Sequence, residues 1–171
     1  NGATVVMPEI GVSQVAPKVM GRHLAIIAGR EFDDFLRPLV RGFMRGGGKV
    51  TRLMPNPRDE YTHAMPTAQA NQIKDLDLLL SFRKGPAGRV SVRHYYRSDK
   101  GKAFGRQLQK QWTQQTKGVR PPVPFVVEGG GEYELSHTGA PAVVFALPTT
   151  EEITAMVQLR SILLDALKQM F

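Results

Sequence analysis

Short apolar runs alternate with stretches of helical period along most of this chain. Leu24-Ala25-Ile26-Ile27-Ala28 is continuous and apolar and is closed by Gly29, the pattern of a strand buried on both faces. Phe32, Phe35, Leu36, Leu39, Val40 and Phe43 then recur at three- and four-residue spacing, which is one face of a helix. Pro38 falls inside that stripe and predicts a kink or the helix's true start. Gly46-Gly47-Gly48 ends it as a turn, and residues 49–53 read as the next strand. A short helix over 67–74, a strongly strand-like segment over 76–82 and a further strand over 89–96 follow.

Ser98 or Asp99 can cap a helix running to about Gln115, with Phe104, Leu108 and Trp112 on its inner stripe. Residues 123–127 and 142–147 are two more strands, and Gly129-Gly130-Gly131 between them reads as a turn. Thr149 with Glu152 forms a capping box for a last helix, whose inner face is Ile153, Met156, Val157, Leu163, Leu164 and Leu167. Mainly continuous apolar strands separated by helices predict an α/β domain. Its sheet is mostly parallel or mixed, with about six strands, and is covered by helices on both faces. Residues 1–21, with Pro8, Gly11 and Pro17 and no helical period, read as an arm or linker, leaving 22–171 as the domain.

Composition narrows the function classes. At 171 residues the chain suits one core. Hydrophobic content of 42% with 22% charged residues argues for a folded domain, and no apolar run reaches the length of a membrane span. Absence of cysteine removes disulfides and thiolate chemistry. The net charge of +8 attracts anionic polymers or, read more plainly, confers solubility. Arg89, Arg93, Arg97, Lys100, Lys102 and Arg106, interleaved with Tyr95 and Tyr96, admit a basic nucleic-acid-binding module, but no nucleic-acid-binding motif accompanies them, so a nucleic-acid partner is not expected and this reading ranks last.

Other chemistries lack their residues. The glycine triplets are not followed by the Lys-Ser or Lys-Thr of a phosphate-cradling loop, and no serine lies in a Gly-x-Ser-x-Gly elbow. Asp33-Asp34 and Glu151-Glu152 sit at helix starts, where the dipole favours them. His23, His63, His94 and His137 fall in four separate elements, without the close spacing that marks a zinc site.

Sites of such sheets lie at the carboxyl ends of the strands, here Gly29-Arg30-Glu31, Ser81-Phe82-Arg83-Lys84 and Phe145-Ala146-Leu147. Four stretches follow one another in a telling order: Ile26-Ile27-Ala28-Gly29-Arg30; Gly48-Lys49-Val50-Thr51-Arg52; Ala70-Asn71 with Asp77-Leu78-Leu79-Leu80-Ser81-Phe82-Arg83-Lys84-Gly85; and Pro141-Ala142-Val143-Val144-Phe145-Ala146-Leu147. From His23 to Phe171 this order resembles the catalytic domain of the zinc-dependent N-acetylmuramoyl-L-alanine amidases, which trim bacterial peptidoglycan. The resemblance places Arg30 and Arg83 where the family has histidine ligands and Ala146 where it has its catalytic glutamate; Glu31 is a loose match to its carboxylate ligand.

A guanidinium stays protonated and offers no lone pair to a metal, and a catalytic zinc needs three protein ligands. The expectation is therefore a degenerate, catalytically inactive amidase-like domain with no metal and no cofactor. Arg30, Arg83, Glu31 and Lys84 would line an anion pocket that binds peptidoglycan or an envelope partner. The competing reading of the arginines is that each pairs with an internal acid such as Glu31 or Glu128. The resemblance implies a periplasmic or cell-envelope location. An active zinc amidase with its ligands elsewhere in the chain is the alternative.

Overall fold

The structure, a computed structural model, describes residues 19–56, 58, 63–148 and 153–171. The expected arm, except for its last residues, and the Thr149 to Glu152 capping box lie outside that set. The six strands are β1 (His23–Ile27), β2 (Lys49–Leu53), β3 (Leu78–Lys84), β4 (Val90–Tyr95), β5 (Phe125–Gly130) and β6 (Ala142–Leu147). They form one sheet in the order β2-β1-β3-β6-β4-β5. Every neighbouring pair is parallel except β4 against β6. The α/β class and mixed sheet expected from the alternation of runs are the observed ones.

Helices cover both faces. On one side α1 (Asp33–Arg45), α3 (Asp99–Gln115) and α5 (Ile153–Met170) close over Leu24, Ile26, Leu78, Leu80, Val92, Val143 and Phe145, all essentially inaccessible to water. Phe82 and Phe145 stack at 5.0 Å in this layer. Each such side chain contributes about 1.5–3 kcal/mol of burial. On the other side, α2 (Ala64–Asn71) and α4 (Tyr133–His137) cover Ala25, Ile27, Leu79 and Val144. These helices have only eight and five residues, and among the described residues the strand ends there stay open.

Strand side chains alternate between faces. The row begun by Leu79 therefore continues through Ser81 to Arg83 on the thinly covered face. Arg83 lies in register with Ala146, and Ala146 with Ser91, at the seam where the sheet changes direction.

Several boundaries differ from the expectation, each for a local reason. Pro38 neither breaks nor starts α1, which runs through it from Asp33. The missing N–H frees the carbonyl of Asp34, and Arg160 Nη1 approaches that oxygen at 3.5 Å. Gly129 and Gly130 belong to β5 rather than to a turn. β3 is displaced two residues toward its carboxyl end, to Leu78–Lys84. Val157 is exposed, whereas Leu159, Ile162 and Ala166 join Leu163 and Leu167 in the buried face of α5. The helix α4 was not anticipated at all.

Candidate functional site

The open strand ends are organised around one buried carboxylate. Glu134, in the first turn of α4, has a side chain with no solvent exposure. Its Oε2 accepts from Ser81 Oγ at 2.6 Å and from Arg83 Nε at 3.0 Å, and lies 2.9 Å from His63 Nδ1. Its Oε1 accepts from Arg83 Nη2 at 2.8 Å, so the guanidinium grips the carboxylate with both prongs. Burial alone would push the acid up, but the hydrogen bonds from His63, Arg83 and Ser81 outweigh it and hold Glu134 down at about 2. An ionised carboxylate only accepts, so His63 carries its proton on Nδ1.

Local structure presents each member. His63 sits just before α2 with φ 53° and ψ 30°, a left-handed conformation in which histidine is tolerated better than most residues. Its carbonyl accepts from Thr67 N at 3.0 Å, opening the helix. Thr138 Oγ1 donates to the Glu134 carbonyl at 2.5 Å and so closes the short α4.

An open cleft of about 830 Å³ lies over this network, and Arg30, Glu31, His63, Arg83, Lys84 and Glu132 are among its walls. Arg30, Glu31 and Lys84 are exposed. The Glu31 carboxylate folds over Gly29, where a Cβ would stand only 2.6 Å from its oxygens. Gly85 serves a different close approach, since a Cβ there would meet the backbone of Ala146 at 2.8 Å. On the far wall Arg93 is held by Glu128 at 3.1 Å and Glu132 at 2.5 Å; burial would lower it, but these two partners outweigh that and raise it further.

The four residues singled out in the sequence thus share one cleft. They do not share one role. The fork of Arg83 is given to Glu134 and not to the cleft, and its acid is neither Glu31 nor Glu128, the two partners considered from sequence. Among the described residues, Arg30 and Lys84 have no acidic partner within ion-pair distance. Sequence reasoning missed His63, Ser81 and Glu134. The one available signal was a serine at position 81 inside the apolar run of β3.

The donors that the described residues offer do not fit a zinc ion. Arg30, Arg83 and the buried Ala146 occupy the positions that the resemblance assigned to ligands and base, and no three His, Asp or Glu side chains among the described residues are gathered as a metal site. His23 meets Thr51 Oγ1 at 2.7 Å, His94 Nδ1 meets the Tyr95 carbonyl at 2.9 Å, and the His137 ring stacks on Tyr133 at 3.8 Å. These three histidines are committed to other elements.

No family model and no curated sequence matches the chain. Solved structures do. N-acetylmuramoyl-L-alanine amidase AmiC2 of Nostoc punctiforme is similar over 88% of this chain and 97% of its own, with a TM-score of 0.62 and 10% identity. The CwlD amidase from Clostridioides difficile, solved in complex with the GerS lipoprotein, is similar over 88% and 98%, with a TM-score of 0.67 and 8% identity. A metallo-carboxypeptidase from Burkholderia cenocepacia is similar over 87% of this chain but 56% of its own, with a TM-score of 0.52 and 12% identity. The chain therefore has the α/β fold of N-acetylmuramoyl-L-alanine amidase catalytic domains.

Proposed function

We propose that this domain binds an anionic group in the cleft at the strand ends and does not perform zinc amidase chemistry. The observation that carries the reading is that Arg30 and Lys84 stand exposed on the cleft wall without an acidic partner among the described residues. The neighbouring Arg83 and Arg93 are neutralised by acids. Two unneutralised cations beside a floor whose buried carboxylate, Glu134, is already satisfied by its own neighbours suit a carboxylate or phosphate. Arginine at two ligand positions and alanine at the base position support a binding role over a hydrolytic one.

The ligand is peptidoglycan, through the carboxylates of its stem peptides, or an envelope protein partner, and the location is the periplasm or cell envelope. The likeness to amidase folds supports this choice of ligand, and the solved complex of the CwlD amidase with a lipoprotein supports the partner form of it. The test is sedimentation with purified sacculi across a salt series. Arg30→Ala with Lys84→Ala is expected to weaken retention about tenfold or more, since charge-assisted contacts contribute about 1.5–3 kcal/mol each. Unchanged retention in that variant removes the cleft as the binding site. Release of stem peptides by protein carrying equimolar zinc overturns the inactive reading altogether.

A further inference from the structure

The densest charge of the molecule lies away from the cleft. Between Arg97 and Arg120 there are seven Lys and Arg against the single acid Asp99, a net +6 of the chain's +8. This segment contains α3, which packs on the sheet face opposite to the cleft. Phe104, Leu108 and Trp112 are buried toward the sheet. At 100° per residue, Lys102, Arg106 and Lys110 then fall within about 80° of one another on the outer face, each one turn beyond the last. Lys117 continues the row just past the helix end. All four are exposed.

A solvated helix face ordinarily mixes signs. Here, among the described residues, none of these cations has an ion-pair partner. The arginines at positions 22, 37, 52, 83 and 93 do. At the amino end of the row stands Tyr96, 63% exposed, with the Arg97 guanidinium 5.7 Å over its ring and Tyr95 4.7 Å away. The outer face has no exposed leucine, isoleucine, phenylalanine or tryptophan that would anchor it in a bilayer. A linear row of cations ending in an exposed aromatic matches a chain of phosphates that also carries rings to stack.

We propose that the outer face of α3, from Tyr96 to Lys117, is a docking surface for single-stranded nucleic acid. Lys102, Arg106, Lys110 and Lys117 follow the phosphates, and Tyr96 with Arg97 receives a base. This surface is independent of the cleft and of the function proposed for it.

The test is fluorescence anisotropy of a labelled mixed-sequence 20-nucleotide DNA with the full chain, over a series of sodium chloride concentrations. Replacing Lys102, Arg106 and Lys110 together by alanine is expected to weaken binding at least tenfold. It should also flatten the slope of log K against log salt by about 2, since each phosphate contact contributes about 0.7 on a single strand. Removing the same charge elsewhere, by alanine at Arg41, Arg45 and Lys49, should leave that slope within about 0.5 of wild type. Tyr96→Ala should weaken binding about tenfold with the salt slope unchanged. Equal losses in the two triple variants would reduce the attraction to overall charge and overturn the proposal. So would a Tyr96→Ala protein that binds as wild type, or binding to heparin or phosphatidylglycerol vesicles as tight as to the oligonucleotide.

Discussion

Glu134 accepts four hydrogen bonds from three side chains, and its side chain is fully buried. A carboxylate so placed is stable only while its partners remain, because the cost of an uncompensated buried charge exceeds what the pair contributes. Arg83→Met is accordingly expected to destabilise the domain by about 3 kcal/mol or more. Combining it with Glu134→Leu should recover a large part of that loss, since two apolar groups replace the pair. Urea unfolding of the two variants checks this; equal stability of Arg83→Met and wild type would show that the fork is not what holds the acid. The same carboxylate sets a pH dependence. Its value in the fold, about 2, lies below the ordinary 4.5. The stabilisation is therefore fully present above pH 4.5 and is lost as the pH falls from there toward 2. Over that window wild type should lose roughly 3 kcal/mol more than Glu134→Gln. Parallel stability curves for the two proteins between pH 6 and 2.5 would contradict the assignment.

At the scale of elements, α3 shows what the pattern of residues could establish. Its cap at Ser98, which accepts from Gly101 N at 3.0 Å, and its inner stripe follow directly from local rules. Trp112→Ala is expected to cost about 3–5 kcal/mol. It removes a buried ring 5.6 Å from Phe125 together with the Nε1 bond to the Val123 carbonyl at 2.9 Å. Lys102→Ala, on the outer face, should change stability by less than about 0.5 kcal/mol. Thermal unfolding of the two variants reads both, and comparable losses would put the helix in a different phase. The strands were legible for the same reason, each being a run long enough to show its type. Helix α4 was not, because five residues hold barely more than one turn of period. Glu134 was hidden with it: the sequence shows an acid after a glycine triplet, and nothing local marks it as the partner of Arg83, 51 positions away. Arg30 and Lys84 could be assigned to the cleft from sequence because the strand-end rule and, for Arg30, the family resemblance point to the same positions. Which arginine was free and which was paired depended on a long-range contact that no local pattern encodes.

For the molecule as a whole, the sharpest distinction between sharing a fold with amidases and sharing their chemistry is the response to zinc. A zinc that binds only the folded state stabilises it by RT ln(1 + [L]/Kd), about 2.7 kcal/mol when the metal is present at a hundred times its dissociation constant. For a chain of 171 residues that corresponds to a rise in Tm of roughly 5–10 °C. Arg30 and Arg83 cannot ligate, Ala146 offers no base, and His23, His94 and His137 are engaged elsewhere in the sheet and helices. Among the described residues, His63 is the one histidine on the cleft wall; its Nδ1 is on Glu134, and it stands without two further donors. Added zinc at 100-fold excess over a micromolar site is therefore expected to shift Tm by less than about 1 °C. Arg30→His should behave no differently, because a zinc site forms cooperatively from its ligands and one new imidazole does not supply three. Differential scanning fluorimetry with and without zinc, paired with metal analysis of the dialysed protein, decides the matter. A shift of several degrees together with near-equimolar retained zinc would mean that the chain assembles a metal centre after all and would overturn the inactive reading.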